Sequence, residues 1–211
     1  MKKKNKNVNN TVIDFDKTDL ERLQACPVVS SSNPLQLLEA AVPYCTVDGM
    51  ILEFGVYSGN ITRMLDKLFD STIYGFDSWE GLPKDSDDVR ETTGFREGDF
   101  KCRIPNIDSP KVELYQGWFE EVLPEFLEEY DEDARLVVID SDQYISAKHI
   151  FDNLEDRIVP GTVIYMDEYK HHPNWEDREY RAFKEFIERT KLRYEYIAKT
   201  RNEERVILRI L

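Results

Sequence analysis

Cysteine is scarce in this chain: three among 211 residues, Cys26, Cys45 and Cys102, with no CxxC pair. An odd number at that spacing supports neither a disulfide framework nor a Cys-ligated zinc site. Positive charge is also short, with 28 Lys and Arg against 42 Asp and Glu, a formal net charge of −14. A surface that acidic repels a phosphate backbone, and no basic stripe offsets it, so no nucleic-acid partner is expected. No apolar run approaches the roughly 18 residues that cross a bilayer, so no membrane partner is expected either. The Met1-Lys2-Lys3-Lys4 start runs into Asn and other polar residues where a signal peptide needs an apolar core, which predicts a cytoplasmic location.

What is present fits one domain, at 13–211, behind a polar and flexible terminus at 1–12. Helical spacing marks 18–26 and 34–44. From there short β-branched runs at 49–54, 72–77, 111–115, 135–140 and 162–167 alternate with amphipathic segments at 60–69, 118–129, 144–157 and 174–189. That alternation predicts an α/β fold, a mostly parallel sheet with helices on both faces. The last two strands, 192–198 and 205–211, have no helix between them and predict a C-terminal antiparallel hairpin. The stretch 78–110 has no clear period, and a connection that long predicts a lid or binding loop.

The turn after the first strand reads Glu53-Phe54-Gly55-Val56-Tyr57-Ser58-Gly59. It sits where ligands collect in open parallel sheets, beyond the carboxyl ends of the strands. Its glycines serve a cofactor or simply a chain reversal, and they lack the G-x-G-x-x-G spacing of a pyrophosphate site. Glu53 beside them would repel pyrophosphate and suit a cationic ligand such as S-adenosylmethionine (SAM). Asp77, ending the second strand 24 residues later, is placed to accept ribose hydroxyls, as both NAD and SAM require. After the third strand, Gln116-Gly117-Trp118 offers an amide, a bare backbone and an aromatic where an adenine would lie.

A second constellation follows. Strand four ends Asp140-Ser141-Asp142-Gln143-Tyr144 and strand five ends Asp167-Glu168-Tyr169. Carboxylates on adjacent strands, about 4.8 Å apart, share a proton or bind a cation. All-oxygen ligands favour Mg²⁺, Mn²⁺ or Ca²⁺. Parity puts Asp140 and Asp142 on one face if the strand continues, and separates Asp167 from Glu168 unless the chain turns there; the plainer reading has Asp142 capping the helix that follows. Tyr144, His171 and Trp175 are near enough in sequence to touch a substrate, His171 and Trp175 competing with solvated and core roles. His149 reads as a structural residue in mid-helix.

The stretches ILEFGVYSG, YGFDSWEGLP, YQGWFEEVLP, VVIDSDQY and DRIVPGTVIYMDEY, with WEDREYRAFKEF after them, resemble the macrocin O-methyltransferase family of class I SAM-dependent methyltransferases. The resemblance implies a Rossmann-like, seven-stranded sheet with a reversed final hairpin. It implies an enzyme that methylates a hydroxyl of a sugar or other small natural product, with SAM and Mg²⁺ or a similar divalent ion as cofactors. By resemblance Asp140, Asp167 and Glu168 would hold the metal and Asp142 would be the base. Glu53, Gly55, Ser58, Asp77, Ser78 and Gln116 would contact SAM, with Tyr57, Gly117, Trp118 and Asp140 beside them. Glu168 stands where relatives carry a second Asp, and Gln143 and Ala147 replace an apolar residue and a Thr. The alternatives are a SAM-binding protein without its own activity and an NAD(P)-dependent oxidoreductase. A homo-oligomer is compatible with all three.

Overall fold

The computed structural model describes residues 18–29, 33–83, 96–170 and 173–211; the terminus expected at 1–12 lies outside them. Seven strands form one sheet: β1 (Met50–Phe54), β2 (Ile73–Asp77), β3 (Val112–Gln116), β4 (Ala134–Ile139), β5 (Val163–Met166), β6 (Tyr194–Lys199) and β7 (Val206–Ile210). Their order is β3-β2-β1-β4-β5-β7-β6. Pairing is parallel from β3 through β5 and antiparallel where β7 inserts between β5 and β6. The expected hairpin is therefore present, with β6 as the edge. Six helices accompany the sheet among the described residues: α1 (Asp19–Ala25), α2 (Pro34–Ala41), α3 (Asn60–Leu68), α4 (Phe119–Glu129), α5 (Tyr144–Asn153) and α6 (Glu179–Thr190).

Strand alternation sends side chains to opposite faces. Met50, Leu52 and Phe54 of β1 meet Leu123 and Phe126 of α4, Phe151 of α5 and Phe183 of α6. Ile51 faces the other way, onto Leu37 and Leu38 of α2 and Ile61 and Leu65 of α3. Both faces of the sheet are thus covered, and every residue of β1 is buried.

Two helices differ from their sequence period. The segment expected at 174–189 is broken: Trp175–Asp177 is a 3-10 turn, Arg178 is non-helical (φ −111°, ψ −135°), and α6 starts only at Glu179. Asn174 does not cap it; it lies at φ +56° with no side-chain bond to the turn. α5 stops at Asn153, short of the expected 157.

The chain order reverses at β1, which lies between β2 and β4. Phe54 is level with Phe76 and Ile139, and Ile139 with Met166. Gly55, Asp77, Asp140 and Asp167 therefore leave the sheet side by side, at its switch point.

Candidate functional site

A cavity of about 380 Å³ opens over these strand ends. Gly55, Tyr57, Asp77 and Ser78 form one wall, continued by Gly117, Trp118, Phe119 and Glu120 after β3. Asp140, Ser141, Asp142 and Glu168, after β4 and β5, line it together with Ile145, Ser146 and His149 of α5. Leu82, Pro83 and Phe100 close over it. The lid expected at 78–110 is thus represented by its two flanks, residues 84–95 lying outside the described ones.

The glycine turn is built for close approach. Gly55 sits at φ +92°, and a Cβ there would lie 1.7 Å from the carbonyl oxygen of Asp140. Its N–H donates to Phe76, while the Asp140 N–H donates to Phe54. Asp77 organises the loop above: one carboxylate oxygen accepts the N–H of Tyr57 and the other that of Trp79, each at 2.7 Å. The Trp79 indole N–H donates to the Tyr57 carbonyl at 3.0 Å. Each Asp77 oxygen keeps a second lone pair for a ligand hydroxyl.

Three expected cofactor contacts lie off this wall. Glu53 points with Ile51 into the α2/α3 face, because the two are two residues apart on one strand. It is fully buried beside Thr62, and neither carboxyl oxygen has a hydrogen-bond partner among the described residues. Burial pushes this carboxyl up to about 8, with Thr62 opposing and Asp77 adding to the shift. Ser58 does not line the cavity; its carbonyl accepts from Arg63 at 2.8 Å. Gln116, last on the edge strand β3, is exposed outside the cavity.

On the acidic wall, β4 ends at Ile139 and the chain turns sharply, placing Asp142 at φ +61°. Asp142 does not cap α5; Gln143 occupies the N-cap position and makes no side-chain cap bond. Asp142 instead lines the cavity. Its backbone is gripped from the start of α6. Glu179 Oε1 accepts from the Ser141 N–H at 2.9 Å, the Ser141 hydroxyl at 3.1 Å and the Asp142 N–H at 3.1 Å. Arg178 donates to the Asp142 carbonyl through Nε at 3.1 Å and Nη2 at 2.6 Å. The same two residues reach β5, where the Glu168 N–H donates to Glu179 Oε2 and Arg178 Nη1 pairs with Glu168 Oε2, both at 3.4 Å.

The parity expected for strand five holds. Glu168 faces the cavity. Asp167 does not line the cavity; its carboxylate accepts from Arg205 Nε at 2.6 Å and Nη2 at 3.0 Å and from the Tyr165 hydroxyl at 2.5 Å, close enough to Asp140 for its charge to be felt there. The trio expected to hold a divalent ion, Asp140, Asp167 and Glu168, is therefore not assembled around one point. Among the described residues no three His, Cys, Asp or Glu side chains are grouped to hold a metal. Two arginines engage the carboxylates that such an ion would need. For the trio to take a cation, Arg205 would have to release Asp167 and Arg178 release Glu168.

Crowded acids out of water favour their neutral forms. Burial first, then Asp167, Asp142, Glu179 and Glu168, holds Asp140 well above the usual carboxylate range. Burial pushes Asp142 up to about 6 against the pull of Arg178, with Asp167 adding to the rise. Glu168 reaches about 8 through burial and the charges of Asp142 and Glu179.

The expected substrate contacts are not brought in. The Tyr144 hydroxyl donates to Glu185 at 2.7 Å and its ring lies under Arg181, both on α6. Trp175 packs edge-on against Tyr180, with Lys170 over its ring. His171 lies outside the described residues. His149, read from sequence as structural, is on the cavity wall. The spacing of Ile145 and His149, four apart on α5, was the signal that could have found it.

The sequence pattern of the methyltransferase domain family matches residues 52–169, more than half of the chain. No curated protein is a significant match. Among solved structures, the calicheamicin methyltransferase CalS11 aligns with a TM-score of 0.65 at 21% identity, covering 82% of this chain and 76% of its own. The O-methyltransferase NovP aligns at 0.60 and 21%, covering 83% and 76%. Apo CalS11, described as a TDP-rhamnose 3'-O-methyltransferase, aligns at 0.60 and 19%, covering 83% and 78%. At such identities these likenesses speak for the fold. The matched segment runs from β1 to the residues just after β5, the span that carries both walls of the cavity, and on that match the chain belongs to the methyltransferase domain family.

Proposed function

We propose that the chain is a SAM-dependent O-methyltransferase acting on a hydroxyl of a small acceptor, with Asp142 as general base. One observation carries this reading: Asp142, whose carboxyl burial pushes up to about 6, lines the same cavity as Gly55, Tyr57 and Asp77. A base that titrates near the working pH is both ionised and able to take a proton.

The residues present fit the cofactor. Gly55 leaves room for an amino-acid moiety against the backbone, Asp77 would hold the ribose hydroxyls, and Gly117 and Trp118 would border the adenine. SAM, when bound, supplies an electrophilic methyl group on a sulfonium. Asp142 would accept the acceptor's hydroxyl proton as its oxygen forms the new O–C bond and the S–C bond breaks. The walls contribute orientation and the exclusion of water. A sugar hydroxyl is the acceptor class suggested by the solved structure described as a TDP-rhamnose 3'-O-methyltransferase.

Magnesium dependence is the finer part of this reading, and it needs the two arginines to let go. No step above uses an ion, and turnover after EDTA treatment, with and without added Mg²⁺, reads that rearrangement. The NAD(P) reading loses one objection, since a carboxyl with a pKa of about 8 does not repel pyrophosphate at pH 7. The missing third glycine and the family match still weigh against it.

The test is calorimetry with SAM and NAD⁺, followed by turnover on a glycoside panel. SAM alone is expected to bind. Asp142→Asn is expected to keep the SAM Kd within roughly twofold and lose about a thousandfold in kcat. Full turnover in that variant would remove the base.

A further inference from the structure

The Arg178-Glu179 dipeptide at the head of α6 does something the proposed chemistry has not yet used. Asp142 sits in a left-handed conformation, which Asp visits more readily than most residues but far less often than negative φ. A competing arrangement is close by. The N-terminus of α5 lacks a side-chain cap, and an Asp just ahead of a helix readily turns its carboxylate onto the free N–H groups there. In that arrangement the carboxylate would leave the cavity.

Two groups oppose it. Glu179 Oε1 gathers three donors from Ser141 and Asp142, and the Arg178 guanidinium holds the Asp142 carbonyl through two N–H groups. Both side chains are nearly or fully buried, where such bonds are strong and their loss is felt. The 3-10 turn that delays α6 until Glu179 brings both residues over the ends of β4 and β5. We propose that Arg178 and Glu179 are positioning residues: together they hold Asp142 left-handed, so that its carboxylate faces the cavity and not the start of α5. This rests on the methyltransferase reading for its kinetic consequence, but its geometry stands apart from it.

The experiment compares the wild type, Glu179→Gln and Glu179→Ala as crystalline S-adenosylhomocysteine complexes and in turnover of SAM with methyl α-L-rhamnopyranoside as probe acceptor. The Gln amide oxygen can still accept from Ser141 and Asp142 at the Oε1 position, and only the longer bond from the Glu168 N–H to Oε2 is lost. Glu179→Gln is therefore expected to keep Asp142 at positive φ and turnover within roughly fivefold. Glu179→Ala is expected to return Asp142 to negative φ and lower kcat by about fiftyfold or more, with acceptor KM and S-adenosylhomocysteine affinity within roughly threefold. A merely structural residue would move stability and all kinetic constants together and show no rescue by Gln. Should Glu179→Ala fail to fold, Arg178→Met, which removes both bonds to the Asp142 carbonyl, carries the same readout. The proposal is overturned if Asp142 stays left-handed and cavity-facing in the Ala variant (or in Arg178→Met), or if Gln and Ala lose turnover equally. If no form of the protein turns over the probe, the functional reading is what suffers; the crystal structures still decide the positioning.

Discussion

Glu53 lies off the cavity wall, and strand parity says why. Two residues from Ile51 on a fully buried strand, it shares that residue's face, and there its carboxyl is sealed beside Thr62. The folded pKa of about 8 against an ordinary 4.5 makes a stability statement. Below the unfolded value the group is neutral in both states and costs no ionisation. Between the two values only the unfolded chain ionises, so stability falls as pH rises, by about 1.4 kcal/mol per unit. Glu53→Gln removes that slope. Its Tm is expected to match the wild type near pH 4.5 and exceed it at pH 8, checked by thermal melts across that range; equal Tm values at pH 8 would refute the buried ionisation. Asp142 titrates in the opposite functional sense, because the base must be charged. kcat/KM is expected to climb through about pH 6 and then level, as a pH–rate profile would read.

At the scale of elements, the site depends on strand ends kept level, and Gly55 is the tightest point between two of them. A methyl group there meets the Asp140 carbonyl at 1.7 Å, a clash that only backbone movement relieves, on top of an unfavourable φ. Gly55→Ala is expected to cost more than about 3 kcal/mol of stability and to abolish SAM binding, readable by denaturant unfolding and calorimetry. The elements themselves were legible: strand and helix periods placed each strand within a residue or two, and parity separated Asp167 from Glu168. Periodicity does not report long-range bonds, and there the reading stopped. Nothing local marks Arg178 as the break before α6; it is non-helical where its guanidinium spans to Asp142 and Glu168, both in other segments. Tyr144 was read as a substrate contact because it follows the acids in sequence, yet one helical step turns it to Glu185 and Arg181. The engagement of Asp167 was out of reach for a related reason, since Arg205 lies 38 residues beyond it and its approach is set by β7 pairing with β5.

The whole molecule carries a formal charge of −14, and the cavity concentrates that sign. Asp77, Glu120, Asp140, Asp142 and Glu168 line it, with Asp140 and Glu168 held toward their neutral forms by burial and by one another, and no Lys or Arg lines it among the described residues. A cleft of one sign draws in ligands of the other, and salt screens the attraction over about 10 Å at 0.1 M. The two forms of the proposed cofactor differ in this respect: SAM has a sulfonium and a net positive charge, and S-adenosylhomocysteine is a neutral thioether with no net charge. Their recognition by glycine turn, Asp77 and Trp118 would be alike, so a difference in salt response isolates the field. Stopped-flow association is expected to slow several-fold for SAM between about 0.05 and 0.5 M NaCl while changing little for S-adenosylhomocysteine. The same field favours release of the product over retention of the substrate only through charge, so lowering the wall's charge should narrow the gap. Glu120→Gln, on the wall but away from Asp142, is the variant that tests this. It is expected to reduce the salt dependence for SAM and leave that for S-adenosylhomocysteine unchanged; an equal salt response for both ligands in the wild type would show that the acidic wall does not steer.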